Sequence, residues 1–230
     1  MAVGFLDNAD SSSASTLSYT ISAGSDRLLV VGLTMEGDFT AGALTCTYGG
    51  QSMTKQVNIF QEFGSFDFET TFFTLDETGI AAASGTTIAF TNLTSERLIV
   101  ARSFDGVNQT TPVPETDKNS TTASTPNPLD GYSIVAGDDS AVCAQSGLRA
   151  NETATWTGVT ERIEAFGTGP ATVVTYADDL FASSQTVNPR CTWTAQSDTQ
   201  AIAMEIAPVA APGGLSIPVA MHSYRQLHQG

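Results

Sequence analysis

Residues 27–37 read RLLVVGLTMEG, and from Arg27 to Thr34 the run is apolar almost without a break. A run this short, rich in branched side chains and closed by a Glu-Gly turn signal, has the pattern of a strand covered on both sides. Strands of other kinds follow it in order: LTCTYGGQSMTK at 44–55, ETTFFTLDETG at 69–79, TTIAFTN at 86–92 and ERLIVARSFDGV at 96–107. The same order then returns as GYSIVAGDDSAV at 131–142, TATWTGVTERI at 153–163, ATVVTYADDLF at 171–181, RCTWTAQ at 190–196 and TQAIAMEIAP at 199–208. Each half runs from an apolar strand through an aromatic and glycine hairpin to a strand ending in acids, then a threonine-rich strand and a closing strand. Self-similarity of this kind indicates architecture before function. It places Tyr48 over Trp156 and Leu75 near Tyr176.

The local signals agree. LSYTI, LTCTY and CTWT alternate apolar residues with polar ones, as half-buried strands do. Gly49-Gly50 supplies the positive φ that a tight hairpin needs. Residues 79–85, GIAAASG, suit a single helical turn, and residues 108–130 read as a long Pro/Thr/Ser/Asn connection, compatible with a linker or with a crossover in one sandwich. The expected fold is therefore all-β: a jelly-roll-like β-sandwich over 1–208, built from two similar halves at about 15–110 and 130–208. A C-terminal extension follows.

That extension begins with the spacer APVAAPGG at 207–214 and continues as LSIPVAMHSYRQLHQG at 215–230. Ile217, Val219, Met221, Tyr224 and Leu227 are too apolar for a tail that touches nothing, and Arg225 complements an acidic neighbour. The segment 209–230 reads as a spacer and attachment peptide, with a frayed terminus as the plainer alternative.

Composition excludes several functions. Nine basic residues stand against 24 acids, a net charge of -15 that repels DNA and RNA. Charged residues make up only 14% of the chain, so Thr, Ser, Asn, Gln and Gly must cover the surface, as in extracellular or virion β proteins. No stretch reaches the length of a membrane-spanning helix. MAVGFLDNADSSS is not a secretory signal, which fits assembly inside a cell and release by lysis, or removal of a signal. The N-x-S/T triplets at Asn92, Asn108, Asn119 and Asn151 matter only in a eukaryotic secretory pathway. Cys46, Cys143 and Cys191 have no metal spacing; they read as packed thiols, with one disulfide plus a free thiol as the alternative.

Chemistry finds few footholds. Both histidines, His222 and His228, lie in the tail, and no nucleophile elbow, P-loop, dinucleotide fingerprint or HExxH motif is present. The acidic pairs Asp76-Glu77, Asp138-Asp139 and Asp178-Asp179 follow apolar strands, where carboxylates either hold Ca²⁺ or are simply solvated. Otherwise no cofactor is expected. Tyr48, Trp156, Tyr176 and Trp193 suit either a sugar-stacking platform or matched core positions.

Ser65-Phe66-Asp67-Phe68-Glu69 resembles the E-x-D-x-E strand of laminarinase-related jelly-roll glycosidases. Ser65 stands where the resemblance requires the nucleophilic glutamate, so the mechanism would fail. The simpler expectation puts Phe66 and Phe68 inward and the acids outward. A broader likeness rests on LLVVGL, TYGGQSMT, ARSFDGVNQTTPV and TWTAQSDTQAIAMEIAP. These strings, over about residues 15–208, resemble a group of β-sandwich domains in uncharacterised bacterial surface proteins and in structural proteins of tailed bacteriophages. Tyr224 to Gln226 is similar to the C-terminal peptides of some phage structural proteins. The resemblance implies a non-enzymatic virion component, such as a decoration, head-fibre or tail protein. It would act as a homo-oligomer that docks onto other virion proteins. The alternative is an extracellular or cell-surface carbohydrate-binding module that engages host glycans.

Overall fold

The computed structural model describes residues 1–12, 14–38, 43–62, 67–93, 96–121, 132–149, 153–166, 173–193 and 198–210. The first half holds β1 (Gly4–Ser12), β2 (Thr16–Ser18), β3 (Leu28–Gly37), β4 (Thr45–Tyr48), β5 (Gln51–Ser52), β6 (Thr54–Glu62), β7 (Asp67–Asp76), α1 (Glu77–Ala82), β8 (Thr87–Thr91) and β9 (Glu96–Asp105). The second holds β10 (Thr116–Thr121), β11 (Ile134–Ala136), β12 (Ser140–Leu148), β13 (Thr155–Thr157), β14 (Thr160–Phe166), β15 (Val173–Phe181), β16 (Gln185–Val187), β17 (Arg190–Thr192) and β18 (Thr199–Ile206). The chain is all-β, and its strands pair antiparallel throughout the described sheets.

Each half contributes one large and one smaller layer. The large sheets run β1-β9-β3-β7-β6 and β10-β18-β12-β15-β14, and the smaller ones β2-β8-β4-β5 in the first half with the pairs β11-β16 and β13-β17 in the second. Leu29, Val31 and Leu33 of β3 face the first half's own small sheet, in a core with Phe73, Ile88 and Tyr48. Val142, Ala144, Val173 and Ala177 do the same in the second half, against Trp156, Trp193 and Cys191. The other faces of the large sheets meet in a third core containing Val30, Phe72, Val100, Phe104, Tyr176, Ile202 and Met204. Central strands are thus buried on both faces, which is why β3 and β12 lack alternation.

The two large sheets match residue by residue. In β6 the register skips at Gln56, so that Val57 pairs with Phe72, and Phe72 with Gly32, which in turn pairs with Val100. In β14 it skips at Arg162, and the row becomes Ile163, Tyr176, Gln145 and Ile202. The αL residues Asp26 (φ 54°) and Asp139 (φ 59°) stand just before β3 and β12 in this same alignment. Counterparts also touch across the seam. Phe72 and Tyr176 meet edge to face at 6.1 Å. Gln145 occupies the space a side chain at Gly32 would need, and Thr34 fills the space over Gly147. Arg149 Nε donates to Glu36 Oε1 at 2.9 Å. Strand neighbours follow suit: β6 lies against β10 and β18, and β14 against β1 and β9. A pseudo-two-fold axis therefore runs along β3 and β12 between the halves.

Three sequence expectations change. The register places Phe72, not Leu75, on Tyr176. Tyr48 and Trp156 do occupy like positions, each buried and two residues before a glycine at φ 84°. The halves begin earlier than about 15 and 130, because β1 and β10 are strands that pair with β9 and β18. Both are polar edge strands, and an edge with one solvated side gives little apolar pattern to read. The helical turn at 79–85 is α1, which starts earlier, where Asp76 Oδ1 accepts from Gly79 N at 2.9 Å. The three cysteines are buried free thiols.

Candidate functional site

The seam between the halves has two flanks that the pseudo-symmetry makes comparable. On one, β9 carries Arg102 opposite Val30, and β15 carries Asp178 opposite both Cys143 and Thr160. Arg102 forms an ion pair with Asp178 through Nε and Oδ2, and Arg162, projecting from the β14 bulge, donates to Asp178 Oδ1 at 2.7 Å. Phe5 of β1 lies beneath both guanidiniums, 4.3 Å from Arg102 and 5.3 Å from Arg162. The Asp178 side chain is fully enclosed, with 0% exposure against 31% for Arg162. Burial outweighs the two cations and lifts the Asp178 carboxyl from 3.8 to about 6. Burial, together with that neighbouring carboxylate, also pushes the Cys143 thiol and Tyr176 hydroxyl upward. Such a group is a clamp between sheets; it presents no activated nucleophile.

On the other flank the same register supplies neutral groups. Thr74 stands where Asp178 does, likewise opposite a threonine (Thr54), and Gln56 stands at the bulge in place of Arg162. Met204 replaces Arg102, paired with Cys143 as Arg102 is paired with Val30. Gln56 Nε2 donates to Thr74 Oγ1 at 2.6 Å, repeating in neutral form the Arg162–Asp178 bond. A cleft of about 440 Å³ opens here, lined by Gln51, Thr54, Gln56, Thr74, Asp76 and Gln109 among others. A smaller cleft of about 140 Å³ lies beside Leu180 and Phe181 and includes Ala2 and Val3.

The residues singled out in the sequence are distributed differently. Ile217, Val219, Met221, Tyr224, Arg225 and Leu227 lie outside the described residues, as do Ser65 and Phe66. Asp67 is half-buried, but Glu69 is not on an outward face: it is 0% exposed, because β7 is a central strand with sheets on both sides. Its Oε1 lies 3.4 Å from Lys55 Nζ, and burial raises its carboxyl against that cation and Asn58. The three acidic pairs have protein partners. Asp76 caps α1, Glu77 chelates Arg27, Asp138 accepts from Ser184 N at 2.6 Å, and Asp179 accepts from Thr160 at 3.2 Å. Among the described residues no group of three or more potential ligands gathers around one point. Tyr48, Trp156, Tyr176 and Trp193 are all buried, and Trp156 Nε1 donates to Thr175 Oγ1 at 2.9 Å.

Arg102 and Arg162 were not among the sequence candidates. Arg102 was detectable as a lone cation inside the apolar run LIVARSF, where a charge demands a buried partner. Gln56 carried no signal, since its position depends on a bulge. No protein-family model matches this chain, and neither a curated protein nor a solved structure matches it.

Proposed function

We propose that the chain is a non-enzymatic structural protein of a virion, a decoration, head-fibre or tail component that works by self-association and docking. The observation that carries this reading is the inward placement of its chemistry. The aromatics and Glu69, which would serve a sugar platform or a hydrolase, are packed into cores, and the large sheets are joined across a seam of matched residues. Each half also reads as jelly-roll-like, with its fifth long strand beside the sixth in the large sheet rather than in the small one. With the two-residue β5 left aside, the first half's large sheet runs first, eighth, third, sixth, fifth, and its small sheet second, seventh, fourth. That architecture recurs in capsid and lectin domains, so it supports the reading by analogy. The strings that resemble phage structural domains point the same way, and the location that follows is the virion, assembled in the host cytoplasm.

The tail supplies the docking element. Burying three or four of its apolar side chains yields several kcal/mol at about 1.5–3 kcal/mol each, whereas ordering ~16 residues costs roughly 1–2 kcal/mol apiece. A lone chain gains little, so docking belongs to a neighbouring subunit in an oligomer. Sedimentation of the full chain and of a chain ending at Ala210 tests this. The full chain is expected to associate with rising concentration, while the truncated chain keeps its fold and remains monomeric. Equal association of the two would remove the tail from the mechanism.

A further inference from the structure

The neutral flank of the seam is a site in its own right. We infer that its cleft binds a neutral saccharide, taken up by side-chain amides and hydroxyls over an apolar floor. This inference does not depend on the virion reading and does not use the buried aromatics.

Four observations lead there. The volume, about 440 Å³, lies in the range of small-ligand pockets. The walls present Gln51, Gln56, Thr54 and Thr110, while Pro112 and the exposed edge of Leu75 supply apolar surface. Among the described residues no lysine, arginine or histidine lines it, and the one carboxylate among them, Asp76, already accepts from Gly79 N. An anionic ligand would meet no counter-charge, and a purely apolar one would strand the amides. A ligand with many hydroxyls and a carbon-hydrogen face satisfies both surfaces.

The cleft is also held open rather than being a loose fit between sheets. Gln56 is fixed by Thr74 at 2.6 Å. Gln109 is fixed by three bonds: it accepts from Glu77 N at 2.8 Å and donates to the carbonyls of Val107 at 2.9 Å and Arg27 at 3.3 Å. Preorganised polar groups bind without a large ordering penalty. The internal control is the opposite flank. There the same backbone register places Arg162 and Asp178, closed into a clamp with Arg102, where this flank has Gln56 and Thr74.

The test titrates the full chain with maltotriose, cellotriose and chitotriose, with trigalacturonate as the anionic comparison, and follows side-chain amide resonances. At least one neutral trisaccharide at millimolar concentration is expected to shift the Gln51 and Gln56 amide signals saturably, and trigalacturonate is not. Two variants locate the site. Gln56→Arg with Thr74→Asp installs the pair of the other flank, and Thr54→Tyr covers the cleft from an exposed position without touching the core. Each is expected to weaken binding by about tenfold or more, the effect of losing one good anchor. Absence of saturable shifts with all three neutral probes, or binding undiminished in folded Thr54→Tyr protein, overturns the inference.

Discussion

Asp178 faces two guanidiniums and no solvent, and its carboxyl still sits at about 6, above the ordinary 3.8, because burial penalises the charged form more than the cations reward it. The folded chain therefore holds this proton more tightly than the unfolded chain does. Its stabilising contribution is complete below about pH 4 and is lost as pH rises through about 6. Denaturant midpoints measured across that window should fall by a few kcal/mol equivalent, and Asp178→Asn should flatten that part of the profile. Glu77 behaves oppositely: its bonds to Arg27 hold the carboxyl below the usual range, so its contribution is present above that range and lost on acidification. Glu77→Gln should remove an acid-side loss and leave the window around pH 6 intact. A second residue-scale test concerns the seam. A Cβ on Gly32 would collide with the Gln145 amide and lie 2.7 Å from Val100 Cγ2. Gly32→Ala should destabilise by ~1–3 kcal/mol, and by much less in a Gln145→Ala background. Additive losses would mean that the two positions do not share space.

At the scale of elements, the hairpin β4–β5 shows how two adjacent glycines differ. Gly49 (φ 51°) has Gly85 N 2.9 Å from where a Cβ would stand, and its carbonyl accepts from Ser84 N and Oγ at 2.9 Å each. Gly50 (φ 84°) has only Ser84 Oγ, at 3.8 Å. Gly50→Ala should therefore cost about 1 kcal/mol, from backbone strain alone, and Gly49→Ala ~3 kcal/mol or more, which thermal melts would separate. This hairpin was legible as Tyr-Gly-Gly, and β3 was legible because a strand buried on both faces must be apolar throughout. β1 and β10 were not, since GFLDNADSS and TDKNST lie at sheet edges where polar side chains are tolerated. Glu69 misled for a related reason. Alternation placed it opposite Phe68, but no local pattern reveals that a strand has sheets over both faces. The cleft was hidden further still, because Gln56 and Thr74 acquire meaning only when set beside Arg162 and Asp178 of the other half.

At the scale of the molecule, the seam decides whether the halves are separable. Matched positions hold unlike residues, Gly32 with Gln145, Thr34 with Gly147 and Glu36 with Arg149, so each half is shaped for the other rather than for a copy of itself. The central core draws Val30, Phe72, Val100 and Phe104 from the first half alone. Exposing those four would forfeit ~6–12 kcal/mol at about 1.5–3 kcal/mol each, as much as a whole domain's usual stability of ~5–15 kcal/mol. Arg102 would also lose Asp178, leaving a charge among apolar side chains. The chain should consequently unfold in one calorimetric transition whose van't Hoff and calorimetric enthalpies agree. A fragment of residues 1–114 should be aggregated or unfolded on its own and should regain strand signal when refolded with residues 115–210. Two resolved transitions, or a soluble folded half, would show instead that the seam is a docking surface between independent sandwiches and that the matched residues set its geometry without supplying the stability of either half.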